Sequence, residues 1–439
     1  MKKNSVLVIL ISLLTSVSFL QAQEVEINPI DTLTASVESA QSDLSLLKKI
    51  KFSGYVQAQW QKADTIGAPS VAGGDFKTYD NRFQVRRARL KAAYSGENTQ
   101  VVVQLDLKDN GSVLVKEAYG VYKEPLLNAF SLTGGFFNRP IGYEVEYSSA
   151  SLESPERSRI TQTLFPEECD LGAKLTIQAP KTSSLNFLKL EAGLFNGNAI
   201  YSETDNYKDF IGHLSLKHSL LGDNLIISGG ASYYNGGWAL PVSSQVAAKL
   251  PHVFTINGTA FAADSAYKVG DKIGREYYGV DAQVTLSSAL GITTVRGEYL
   301  FGTQPGTDKS TTSPKSAAPP VIADVYVREF TGAYVYFIQR ILQTKHEFVV
   351  KYDWYDPNKN ISADEIGVAG SKTSAADIKY TTIGLGWNYY ATTNAKLSVY
   401  YDMVSNEKSA NVKGKATGID NFSKDLKDNV LTVRVLFKF

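Results

Sequence analysis

The sequence predicts an all-β chain, a transmembrane antiparallel β-barrel of about 16 strands with a short N-terminal helix. Three observations carry this. Segments of about ten residues, alternating apolar with polar or small, recur from Phe52 to Phe439. The connections between them alternate short and long. The composition, with 25 Tyr, 20 Phe and 34 Gly against 2 Met in 439 residues, suits twisted strands with aromatic ends. A single cysteine, Cys169, excludes a disulfide framework and a cysteine-ligated metal centre. With 45 Lys and Arg against 44 Asp and Glu, the formal charge is +1, which excludes a basic nucleic-acid-binding domain. Mean hydropathy is −0.16, and past the N-terminus no apolar run is long enough for a membrane helix. A barrel carries its membrane signal in alternation instead.

Residues 1–22 read as a signal peptide. Lys2 and Lys3 form a basic start, residues 6–20 are apolar apart from Ser and Thr, and cleavage is expected near Ala22. No Cys stands at the cleavage point, so a lipoprotein is not expected. Residues 23–50 read as a periplasmic helical segment. Leu33, Val37, Ala40, Leu44 and Leu47 fall at heptad spacing, and Asp31 or Thr32 offers an N-cap. A coiled coil and a lid helix on the chain's own barrel fit this pattern equally.

Residues 51–439 read as the barrel. The expected strands are 52–60, 82–94, 100–107, 113–123, 129–138, 170–179, 185–195, 207–218, 224–235, 275–287, 292–302, 325–338, 345–356, 378–390, 394–404 and 429–439. After the even strands the turns are short, and after the odd ones mostly long, as the two rims of an outer-membrane barrel require. The last segment is the sharpest. Leu431, Val433, Val435 and Phe437 alternate with Val430, Thr432, Arg434, Leu436 and Lys438. One face suits lipid and the other tolerates charge. The terminal Phe439 resembles the signal by which the barrel assembly machinery recognises its clients. Trp60, Tyr94, Trp354, Tyr355, Tyr389 and Tyr390 sit near strand ends, as interface girdles do.

A charge facing mid-membrane lipid costs roughly 2–4 kcal/mol, so strand charges should point inward. Parity places Arg87, Arg89, Lys91, Lys174, Lys189, Lys217, Arg275, Arg296, Lys351, Lys396, Arg434 and Lys438 in the lumen. The acids are Asp106, Glu191, Asp209, Asp281, Glu298, Glu347, Asp353 and Asp402. The surplus is basic, which favours anions. Strand 82–94 slips parity at Arg86-Arg87, and a β-bulge there turns Arg82, Arg86, Arg87, Arg89 and Lys91 all toward the pore. Arginine's planar fork suits oxyanions. The third long connection, 139–169, holds Arg139, Arg157 and Arg159 with Glu144, Glu146, Glu153, Glu156, Glu167 and Glu168. It forms a charged constriction if it folds inward, or a solvated loop if it does not. The same arginines serve an anion path or simply pair with the loop's acids. The anion-path candidates are Arg82, Arg86, Arg87, Arg89, Lys91, Arg139, Arg157, Arg296 and Arg434.

Several pieces in order along 52–439 resemble the phosphate-selective porin O and P family of outer-membrane porins. They are Phe52-Ser-Gly-Tyr-Val-Gln, Arg82-Phe-Gln-Val-Arg-Arg-Ala-Arg-Leu90, Gly135-Phe-Phe-Asn-Arg-Pro-Ile-Gly-Tyr-Glu144, Glu156-Arg157-Ser158, Pro166 with Asp170-Leu-Gly172, Lys351-Tyr-Asp-Trp-Tyr-Asp-Pro-Asn358 and Thr382-Ile-Gly-Leu-Gly-Trp-Asn-Tyr-Tyr390. The resemblance implies a homotrimer of sixteen-stranded barrels in the outer membrane of a Gram-negative bacterium. It also implies an anion path lined by Arg and Lys for phosphate or other small anions, and no cofactor. Where the family usually carries a Lys before its Pro, this chain has Asn138-Arg139-Pro140, and it has only 12 Arg.

Two alternatives stand beside this reading. A general small-solute porin without anion selectivity would share the architecture. A barrel enzyme needs a placed nucleophile or a His set. Of His213, His218, His252 and His346, only His213 faces the lumen by parity, and no nucleophile elbow or metal-binding His pair appears. A 22-stranded transporter with a plug does not fit the length.

Overall fold

In hydrocarbon every backbone N–H and C=O must be satisfied within the protein, so strands can cross only as a closed ring. The computed structural model closes that ring. It describes residues 37–41, 44–45, 47–108, 111–240, 251–312, 323–413 and 421–439, and the signal-peptide reading lies outside them. The described residues between 37 and 47 are helical, and belong to a different compact unit from Lys51–Phe439.

The barrel runs β1 (Ile50–Ala63), β2 (Asn81–Ser95), β3 (Thr99–Leu107), β4 (Val113–Lys123), β5 (Phe130–Asn138), β6 (Cys169–Gln178), β7 (Leu188–Phe195), β8 (Asp209–Leu220) and β9 (Leu225–Ala239). After a loop hairpin, β10 (Val253–Asn257) and β11 (Ala260–Ala263), it continues through β12 (Lys272–Ser288), β13 (Gly291–Gly306), β14 (Val325–Ile341) and β15 (His346–Asp356). It ends with β16 (Tyr380–Tyr390), β17 (Ala395–Asn406) and β18 (Val430–Lys438). Without the hairpin these are the sixteen predicted strands, shifted by a few residues at their ends. All sixteen pair antiparallel in chain order, and β18 returns to β1 from Tyr55↔Lys438 to Ala63↔Val430. The hairpin escaped the sequence reading because its strands have only 5 and 4 residues. It adds to β14 in parallel at Val253↔Val325 and Phe254↔Tyr326.

The two rims differ as expected. One has the turns 96–98, 124–129, 179–187, 221–224, 289–290, 342–345 and 391–394. The other has the connections 64–80, 139–168, 196–208, 240–271, 307–324, 357–379 and 407–429, with 108–112 a short exception. Along β15, His346, Phe348, Val350 and Tyr352 are exposed while Glu347, Val349, Lys351 and Asp353 are buried. The split in β13, β17 and β18 also follows parity. The outward apolar band ends in aromatic clusters on both rims. On the long-loop side Tyr278 lies tilted against Tyr233 and stacked on Phe301, with centroids 5.2 and 5.4 Å apart. Trp387 and Tyr389 flank His346 at 5.8 and 5.2 Å on the other. The parity slip in β2 is present, because consecutive Arg86 and Arg87 both reach the same inward carboxylate.

Closure at β1–β18 is close-packed at Gly54. Its N–H donates to Phe439 O at 3.2 Å, and Phe439 N–H returns to Gly54 O at 3.0 Å. A Cβ at Gly54 would lie 2.5 Å from Arg89 O and 2.7 Å from the Phe439 ring. Gly54→Val should therefore reduce the folded, heat-modifiable fraction on unboiled SDS gels several-fold, while Ser53→Val should leave it close to wild type. Equal folding of the two variants would show that this seam tolerates a side chain.

Candidate functional site

The connection between β5 and β6, residues 139–168, folds into the barrel, and its sequence explains why. Ile141, Val145, Ile160, Leu164 and Phe165 have no water-facing role. They pack instead on the inward wall residues Phe137, Phe195, Tyr234, Tyr277, Phe330 and Tyr355. Each such buried side chain contributes about 1.5–3 kcal/mol relative to exposure. Its one helix, α1 (Arg159–Leu164), carries two of these residues, Ile160 and Leu164. The inward turn starts at Gly142, at φ 60°, where L side chains are strained. Its N–H donates to Ser232 Oγ at 2.9 Å, and the adjoining Tyr143 and Glu144 amides donate to Glu298 Oε2.

The loop's acids then meet the wall's bases. Glu156 accepts from Arg86 Nε at 2.9 Å, from Arg87 at 2.6 Å and from Arg434 at 2.8 Å. Glu153 accepts from Arg296, whose guanidinium lies 4.5 Å from the Tyr336 ring and 4.6 Å from Tyr147. Glu168 takes both Lys116 of β4 and Arg157 of the loop. Backbone carbonyls add to this. Gln57 Nε2 donates to Ser149 O at 2.9 Å, Lys396 Nζ to Leu152 O at 2.6 Å and Asn388 Nδ2 to Glu153 O at 3.0 Å. The loop is thus tied to β1, β2, β4, β13, β16, β17 and β18, on both sides of the lumen. Within the loop, Glu144 accepts from the Ser158 N–H and hydroxyl and from the Thr161 hydroxyl, fixing the start of α1.

Each candidate anion-path residue now has a place. Arg86, Arg87 and Arg434 converge on Glu156. Arg82 lies apart, bonded to Gln61 Oε1 and Gly74 O and over the Phe76 ring. Arg139 is buried against Asp170 at 2.9 Å, Arg157 against Glu168, and Arg296 against Glu153. Arg89 faces Asp106 at 3.5 Å, and Lys91 reaches Glu117 at 2.7 Å. Arg89, Lys91 and Arg157 share a cavity of about 340 Å³ on the short-turn side of the loop, with Lys116, Glu117, Glu146, Glu168 and Lys438 also in its wall. A second cavity of about 230 Å³ shares Tyr147, Ala150 and Lys438. Lys438 has no ion pair among the described residues. Sequence parity missed Lys116 and Arg328 because β4 and β14 carry apolar side chains on both faces. Arg328 is fully buried, bonded to Asp377 Oδ1 at 2.8 Å.

Burial alone would push the Glu156 carboxyl up, but the three arginines hold it well below the ordinary glutamate range. A carboxylate so depressed contributes stability above its ordinary pKa and loses it as pH falls through the depressed value. Thermal stability should therefore hold from neutral pH to about pH 5 and fall only in stronger acid. Glu156→Gln leaves two buried cations, Arg87 and Arg434, and the half-buried Arg86 without their counter-charge, at a cost of roughly 3–5 kcal/mol. Its melting temperature should drop and its single-channel current should become noisier. Unchanged melting and noise would mean that the loop is held by its apolar residues alone.

No family model matches the chain, and no curated protein is similar to it in sequence. Solved structures match it in fold. OmpF of Salmonella typhi, in complex with daunomycin, is 15% identical, with 89% of this chain and 97% of that one aligned at a TM-score of 0.53. The outer membrane channel DcaP of Acinetobacter baumannii is 14% identical over 89% and 97%, at 0.51. An anion-selective porin from Comamonas acidovorans is 9% identical over 89% and 99%, at 0.51. The closed ring, the apolar belt and this likeness together make the chain an outer-membrane β-barrel.

Proposed function

We propose that the chain is an outer-membrane porin, a diffusion channel for small solutes that prefers anions. The observation that carries the reading is the inward loop 139–168. It narrows the lumen without filling it, leaving the two cavities on its short-turn side. The larger cavity supports the anion preference, with Arg89, Lys91, Lys116, Arg157 and Lys438 against Glu117, Glu146 and Glu168. A lumen with this surplus concentrates anions, and several weak contacts conduct better than one tight site. Phosphate or related oxyanions, as in the phosphate-selective porin O and P family, are the finer form of this proposal.

The general-porin reading has its own support. Arg86, Arg87, Arg434, Arg296 and Arg157 spend their forks on loop carboxylates, so selectivity would come from the field of the lumen rather than from a ladder of free guanidiniums. The two readings separate in planar bilayers under a KCl gradient. An anion-preferring wild type should lose several-fold in chloride-over-potassium permeability in Lys91→Glu with Lys438→Glu, with the effect shrinking at high salt. A cation-preferring wild type, or a reversal potential unmoved by the pair, leaves the general porin. Block of chloride current by millimolar phosphate would favour the oxyanion form, and no block would remove it.

The chain is proposed to work as a homotrimer in outer-membrane lipid, inserted by the barrel assembly machinery through its Phe439 strand. One of the fold neighbours, OmpT of Vibrio cholerae, is described in a trimer form. Native mass measurement in mild detergent should give three copies, and a single copy would remove the trimer.

A further inference from the structure

The inward loop meets the wall at a second place, away from the arginine clamp. On facing strands β7 and β8, Glu191 and His213 are register partners, so their side chains project side by side into the lumen. The loop brings Glu146 to them. One ligand atom from each of Glu146, Glu191 and His213 lies within 4.8 Å of the others. His213 is 5% exposed, and neither of its ring nitrogens has a hydrogen-bond partner among the described residues. A buried polar group left unmatched costs about 1–3 kcal/mol. Behind the ring, Asp281 Oδ2 is also buried without a hydrogen-bond partner and lies 3.7 Å from His213 Nε2. Asp281 is itself oriented by Gln283, which donates to its other oxygen at 2.6 Å. A Cβ at Gly230 would collide with both His213 Nε2 and Asp281 Oδ2, so a glycine there leaves room for the pair.

We propose that Glu146, Glu191 and His213 form a binding site for a divalent transition-metal ion, with Asp281 holding the imidazole from behind. One imidazole nitrogen and two carboxylates, with a position left open to the lumen, is a zinc-type ligand set that also takes cobalt or nickel. A carboxylate behind a ligating histidine is the usual outer partner. The charges around the site define the competition. Glu191 is held by Lys174 at 2.5 Å and Lys189 at 2.6 Å, and Lys189 lies 3.9 Å from Glu146. The three acids outnumber the two lysines by one, so an incoming dication meets net negative charge. It displaces Lys189, which stands between the two carboxylates, and draws the three ligands together. Bound metal would then tie Glu146, and the loop with it, to β7 and β8.

The test uses the purified full-length protein in detergent, titrated with Co²⁺ and followed by the ligand-field absorption of the bound ion, with folding of each variant verified by heat-modifiability. The expected result is one saturable site in the wild type. It should be lost in His213→Ala, weakened about tenfold or more in Glu146→Gln, and tightened in Lys189→Met. Asp281→Asn should weaken it by about tenfold. Glu146→Gln lies in the loop and leaves every wall strand unchanged, so it reports even if His213→Ala misfolds. No saturable spectrum in the wild type, or equal binding by wild type and Glu146→Gln, overturns the proposal.

Discussion

Three wall arginines, Arg86, Arg87 and Arg434, turn inward and meet on Glu156, a carboxylate that belongs to a loop. None of the four could stand where it does alone. Guanidiniums cannot face the hydrocarbon, and a buried carboxylate without cations would take up a proton. The barrel wall supplies cations it must hide, and the loop supplies the anion that lets them be hidden. A buried pair of this kind adds little net stability over an apolar packing, but removing one partner is costly. Its effect is to fix position. It puts the loop at one height in the lumen, and with Glu153 on Arg296 and Glu168 on Lys116 it sets the shape of the space that remains.

The apolar part of the loop answers a different need. A sixteen-stranded ring is too wide for its own side chains to fill. Ile141, Val145, Ile160, Leu164 and Phe165 supply a core across part of it, and the aromatic wall residues Tyr234, Tyr277 and Phe330 face that core. Elsewhere the lumen keeps its charge and stays open. The wall therefore meets three environments: hydrocarbon outside, a protein core inside where the loop packs, and polar cavities on the short-turn side.

Much of this was legible in the sequence because a barrel repeats one rule. Alternation in β15, β17 and β18 named the outward and inward residues correctly, and the Arg86-Arg87 slip showed the place where two neighbours turn the same way. The fate of the loop was not legible. Glu156 and Arg434 are 278 positions apart, and nothing local in either residue names the other. The same arginines fit an anion path and a clamp until the loop has a position. Lys116 and Arg328 stayed hidden because their strands lack a polar face to set the parity. His213 was placed in the lumen by parity, but its neighbourhood with Glu146 depends on the loop and could not be read from one strand.

The account stands on the coupling between the loop carboxylate and the wall. A double-mutant cycle with Glu156→Gln and Arg434→Gln, read by urea unfolding of the barrel in lipid vesicles, measures that coupling with other losses cancelled. The account predicts single variants that are each strongly destabilised, a double variant that loses little more than either, and a coupling of at least about 1 kcal/mol. Additive losses, with a coupling near zero, would contradict it.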